Sequence, residues 1–182
     1  MVMLLLFVVF QIIKCQNLTL NFDDVQTQQN SLIALPRPYQ NFVCKRINTP
    51  MTGYTDDNCV VFNVTNFQEL NPGYNFYNNT DISPPNILLT TGEYVSFSSS
   101  NRGFFKIMKL TMTSIFVNNM GVLFRGFKNG RQTESFNVTL SISIPKETSL
   151  NWGNIDNVII GCIDTSFNTC AHIAYDNIVF SI

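Results

Sequence analysis

Residues 135–144 read SFNVTLSISI, and this stretch decides the fold class. Phe136, Val138, Leu140, Ile142 and Ile144 alternate strictly with Ser135, Asn137, Thr139, Ser141 and Ser143. That is the period-two pattern of a strand with one face in a core and the other in solvent, whereas a helix would mix the two sets on every face. Just upstream, residues 120–127 (MGVLFRGF) form a second apolar run, and the intervening KNGR places Asn129-Gly130 where a two-residue hairpin requires positive φ. The two runs are expected to pair.

Working outward, β-branched and aromatic runs recur at 18–25, 42–47, 59–64, 86–90, 94–97, 104–117, 154–163 and 171–182. Polar stretches at 26–31, 48–58, 68–85 and 98–103 read as the loops between them. No window of helical length carries a sustained 3.6-residue period, so the expected class is all-β, a β-sandwich or barrel. A chain of 182 residues is long enough for one hydrophobic core.

Residues 1–13, MVMLLLFVVFQII, are almost wholly apolar, the length of a signal-peptide core and short for a membrane span. Lys14 breaks the run. The expected organisation is a signal peptide over 1–15 and a single β-sandwich domain over 16–182, with no later run of spanning length. Without Cys15, four cysteines remain: Cys44, Cys59, Cys162 and Cys170. An even number in a secreted chain implies two disulfides, and of the three possible connectivities Cys44 with Cys59 and Cys162 with Cys170 each bracket a short loop. Sequons at Asn17, Asn63, Asn78 and Asn137 agree with the same secretory route. Asn137 falls on the solvent face of its strand.

Charged residues make up 13% of the chain and the formal net charge is −1, so there is no cationic excess for a phosphate backbone and nucleic acid is not an expected partner. Catalytic motifs are equally sparse. His172 is the only histidine, no G-x-S-x-G accompanies it, and its HIAYDN setting suits a structural histidine bonded near Asp176. The zinc reading lacks both a C-x-x-C and the histidines to complete a ligand set.

The order NFDDV (21–25), PRPYQNF (36–42), NILLT (86–90), MGVLFRGFKNGRQTESFNVTL (120–140), NWGNIDNVII (151–160) and HIAYDNIVF (172–180) resembles a family of secreted β-jelly-roll proteins related to galactose-binding-like and carbohydrate-binding modules. Residues 48–85 match it poorly. The resemblance implies first and last strands side by side, which would bring Asp23 or Asp24 towards Asp176. Carboxylates from both chain ends are hard oxygen ligands of the kind Ca²⁺ prefers, and the resemblance implies a structural calcium there. The same side chains equally suit turn caps at strand ends.

For ligand binding, the candidates are loop aromatics, Tyr39, Tyr54, Tyr74, Phe76 and Tyr77, together with Trp152 on a later strand. Sugar rings offer C–H faces to aromatic planes while neighbouring Asn and Asp groups take their hydroxyls, and NPGYNFYNN supplies both kinds of group. The expected function is a secreted, non-enzymatic module for extracellular or cell-surface carbohydrate. The alternatives are a structural or adhesive coat protein that binds other surface proteins, and a carbohydrate-active hydrolase with two facing carboxylates.

Overall fold

A computed structural model describes residues 16–26, 32–47, 58–63, 86–91, 94–142, 144–163 and 172–182. The leader at 1–15, Tyr54, Tyr74, Phe76, Tyr77, Asn78 and Cys170 lie outside these residues. Twelve strands are present: β1 (Asn17–Leu20), β2 (Leu32–Ala34), β3 (Phe42–Ile47), β4 (Val60–Asn63), β5 (Asn86–Thr91), β6 (Tyr94–Ser99), β7 (Phe105–Ser114), β8 (Met120–Lys128), β9 (Arg131–Leu140), β10 (Lys146–Ile155), β11 (Asn157–Cys162) and β12 (His172–Ser181). They form two antiparallel sheets packed as a sandwich. One has seven strands in the order β10-β7-β12-β5-β4-β2 with β1 also on β12, and the other has five in the order β3-β6-β11-β8-β9.

The winding is that of a jelly roll. From β5 onward the chain changes sheet at every connection except the β8–β9 hairpin, so successive strands bury their apolar faces against each other across the core. The first strand lies antiparallel to the last, with Leu18 opposite Phe180 and Leu20 opposite Ile178, as the family resemblance implied. β5 pairs with the same edge of β12, Leu88 opposite Tyr175, so β1 and β5 share that edge end to end.

Between the sheets lies one large apolar cluster. Phe42, Phe97 and Phe124 come from the five-stranded sheet, and Ile107, Leu110, Met112, Tyr175 and Phe180 from the seven-stranded one, all of them fully buried. Phe180 stacks on Phe42 at 4.0 Å between ring centroids and meets Phe105 edge-on at 5.4 Å. Cys44 of β3 is disulfide-bonded to Cys59, which immediately precedes β4, so this bond joins the two sheets. A smaller cluster joins Ile87, Leu89 and Ala174, which alternate with the inward-facing residues of β5 and β12, to Ile115 just after β7, flanked by Val60 and Phe62.

The β8–β9 hairpin follows the sequence closely. Asn129 and Gly130 have φ of 51° and 76°, the two positive values of a type I′ turn. The turn is held from behind by Asp156, whose carboxylate accepts the Asn129 backbone N–H. The alternation at 135–144 holds over a shorter span than expected. Val138 and Leu140 are buried, but β9 ends at Leu140, Phe136 is 43% exposed and Ile144 is 60% exposed. The reason is position: β9 is the sheet's edge strand, so only one side of Phe136 has a neighbour. Residues 154–163, expected as one strand, are divided by a corner at Asp156 between β10 and β11.

Candidate binding face

Because Phe42, Cys44, Val95, Phe97, Val158, Ile160, Val122 and Phe124 point inward, the residues alternating with them form the outer face of the five-stranded sheet. The register aligns that face in rows. Lys45 lies opposite Ser96, Ser96 opposite Ile159, Ile159 opposite Arg125 and Arg125 opposite Ser135. The row beside it runs Val43, Ser98, Asn157, Phe127 and Gln132. On the other side, Ile47 is opposite Tyr94, and Gly161 opposite Leu123, which faces Asn137.

Tyr94 organises this face. Its ring lies against Gly161, its hydroxyl donates to the Cys162 carbonyl at 2.9 Å, and the Arg125 guanidinium sits over the ring at 5.2 Å from the centroid. Ser96 donates to Asn157 Oδ1 at 2.7 Å, fixing that amide in the next row. The result is a half-buried face on which the Arg125 guanidinium covers the Tyr94 ring, bordered by hydroxyl and amide groups. Such a surface can take a flat ligand with apolar faces and polar edges.

Gly161 is what allows it, because a Cβ there would overlap the Tyr94 ring. Gly161→Ala is expected to destabilise the protein by about 1–3 kcal/mol through overpacking. The same change in a Tyr94→Ala background should cost much less. Urea denaturation of the single and double variants measures the difference, and equal costs in both backgrounds would contradict this packing.

The other expected site residues are placed differently. Tyr39 is 6% exposed: its ring stacks on Phe22 at 5.7 Å and its hydroxyl donates to Asp24, so it belongs to the core and offers no sugar platform. Burial and the Asp24 carboxylate push its phenol well above the usual tyrosine range. Trp152 is half-buried on β10 and reaches the opposite sheet, packing on the core where a Cβ at Gly126 would lie 3.1 Å from its ring. Asn17 and Asn137 are exposed, and Asn63 is half-buried at the end of β4.

The three aspartates do not form one oxygen set. Asp23 accepts from the Asn21 amide at 2.9 Å, Asp24 takes the Tyr39 hydroxyl, and Asp176, 1% exposed, accepts the Asn177 backbone N–H at 2.8 Å. No three His, Cys, Asp or Glu side chains come together among the described residues, and the contacts shown are those of turn and strand-end acceptors. Asn86 completes this junction by donating to the Phe22 and Val25 carbonyls at 3.1 and 2.9 Å, tying the turn after β1 to the start of β5. Cys162 is disulfide-bonded, in keeping with the oxidised state of the Cys44–Cys59 pair.

His172 is not bonded to Asp176. The two share a face of β12 four residues apart, roughly 13 Å at strand rise. Instead the His172 ring meets Phe116 edge-on at 4.9 Å, and its Nδ1 is buried with no hydrogen-bond partner among the described residues. Burial lowers its pKa from the usual 6.5. The unfolded chain therefore takes up this proton more readily, so stability is full above about pH 6.5 and declines as pH falls below it towards the folded pKa. Melting temperatures at pH 7.5 and 5 should fall further for the wild type than for His172→Gln. Parallel curves would remove the effect.

No family model matches the chain, and no curated protein matches it in sequence. Among solved structures it is similar to the arabinose-bound MgGH51 α-L-arabinofuranosidase, with TM-score 0.44 and 15% identity over 85% of this chain and 25% of that one. It is also similar to the enzymatically active domain of bacteriophage CBA120 tailspike protein 4, with TM-score 0.38 and 11% identity over 79% of this chain and 20% of that one. The chain thus spans a quarter or less of either structure's length.

Proposed function

We propose that this protein is a secreted, non-enzymatic module that binds extracellular or cell-surface carbohydrate on the outer face of its five-stranded sheet. The observation that carries the reading is the Tyr94–Arg125 pair, in which the Tyr94 ring packs on Gly161 and the guanidinium covers the ring, on a face that also carries Ser96, Ser98, Asn157 and Gln132. Saccharides combine C–H faces with a rim of hydroxyls, and this surface presents planar groups with a rim of donors and acceptors. A disulfide joining the two sheets suits an oxidising destination, and among the described residues no helix is long and apolar enough to cross a membrane.

A glycan array probed with the purified, disulfide-intact protein, with and without Ca²⁺, tests the proposal. Saccharide binding is expected without added metal, and Arg125→Ala is expected to weaken it by about tenfold, the scale of one charge-assisted contact. Absence of saccharide binding in both conditions would overturn the reading. Binding unaffected by Arg125→Ala would move the site off this face.

A further inference from the structure

At the tip of the β8–β9 hairpin, at the end of the five-stranded sheet, lies a shallow recess lined by Lys128, Asn129, Arg131, Gln132 and Thr133. Lys128 and Arg131 are the closing pair of the turn and stand directly opposite each other across the two strands. Cross-strand partners have Cβ atoms about 4.5–5.5 Å apart, and like charges there repel. No carboxylate lines the recess, and among the described residues neither cation takes part in an ion pair. Asp156 lies behind the turn and is engaged by the Asn129 N–H. The Lys128 ammonium rests instead over Phe104, 5.2 Å from the ring centroid, and that ring is 46% exposed. The chain as a whole is slightly acidic, with a formal net charge of −1, so the paired cations are a local feature.

From this geometry we infer that the hairpin corner is an anion clamp, selecting saccharides that carry a carboxylate or sulfate group. The inference rests on reading the adjoining sheet face as a saccharide surface. One anionic group between Lys128 and Arg131 would convert a repulsive pair into two attractive contacts, the guanidinium offering a forked pair of donors. Asn129, Gln132 and Thr133 surround that point with groups suited to ring hydroxyls, and Phe104 adds an apolar plane. Gln132, the register partner of Phe127 on the outer face, lines the same recess, while Lys128 and Arg131, one position along each strand, lie on the sheet's other side, so the recess wraps the end of the hairpin between the two faces.

Calorimetric titration with a uronate hexasaccharide and its fully methyl-esterified, neutral counterpart tests the clamp. The acidic form should bind the wild type at least about tenfold more tightly, and Lys128→Gln/Arg131→Gln should abolish that preference while leaving affinity for the ester unchanged. A sulfated hexasaccharide separates sulfate from carboxylate selection, and free sodium sulfate separates a bare anion site from a saccharide site. Equal affinity for acid and ester, or a preference that survives the double substitution, would overturn the inference and leave the proposed function standing. Binding of free sulfate as tight as that of the sugars would overturn the saccharide assignment. Failure of every saccharide to bind would overturn both. The double variant should melt no lower than the wild type, because it removes a repulsive pair, so loss of binding cannot be confused with loss of fold.

Discussion

Phe180→Ala is expected to destabilise the protein by about 3–5 kcal/mol, a large share of the roughly 5–15 kcal/mol that holds a typical domain together. Phe180 is fully buried on β12, stacked on Phe42 at 4.0 Å, edge-on to Phe105 at 5.4 Å and tilted towards Phe97 at 6.0 Å. Two of these partners belong to the opposite sheet, so removing the ring opens a cavity where the layers meet. Neither β12 nor β3 can close it, because each is fixed by its own hydrogen-bonded ladder. Phe104→Ala is the internal comparison, since that ring is 46% exposed and should cost under about 1 kcal/mol in its absence. Urea unfolding of both variants reads the contrast. Similar costs for the two would contradict the aromatic centre described above.

The second large effect is expected from Cys44→Ala/Cys59→Ala. The bond closes a segment with a sequence separation of 15, and chain-entropy arguments give about 3 kcal/mol for such a loop. For a domain of this size that corresponds to a fall in Tm of roughly 6–12 °C. Both residues are buried, at 2% and 1% exposure, so their surroundings must also repack when the sulfurs are lost. The substitution isolates this bond, whereas a reductant would also act at Cys162, which is itself disulfide-bonded. A fall of less than about 2 °C by calorimetry would mean that the sheets are held in place without it.

The parts of the fold legible in the sequence were those fixed by local chemistry. Asn129-Gly130 specifies its turn within four residues, the period-two pattern marks β9 as far as Leu140, and β3 was read with the bounds it has. β10 was legible only at Trp152 and its last residues, for the opposite reason. Its sequence KETSLNWGNI shows little alternation, because positive φ at Asn151 and Asn154 interrupts the pleat and the pairing with β7 shifts register on either side of Trp152. β2, three residues long, carries too short a pattern to recognise. The site was harder still. Tyr39 looks like a loop aromatic until Asp24, fifteen residues earlier, takes its hydroxyl and Phe22 its ring. Tyr94 gave the converse problem, since nothing near it in sequence reveals that Gly161 lies beneath its ring and Arg125 above. A glycine within the apolar run NVIIGC was the available signal, because glycine weakens a strand unless something must approach its backbone closely.

The position of β12 has a consequence for biosynthesis. It follows the other eleven described strands in the chain, yet it lies in the interior of the seven-stranded sheet, bonded to β7 on one side and to β1 and β5 on the other. Until residues 172–181 emerge from the ribosome, those three neighbours have open edges and the aromatic centre lacks Phe180. The earlier described strands therefore cannot complete the seven-stranded sheet before β12 is available, and pairing β1 with β12 spans nearly the whole described length, a long-range closure of the kind that slows folding. During that interval the edges that β12 will cover are open to pairing with other strands.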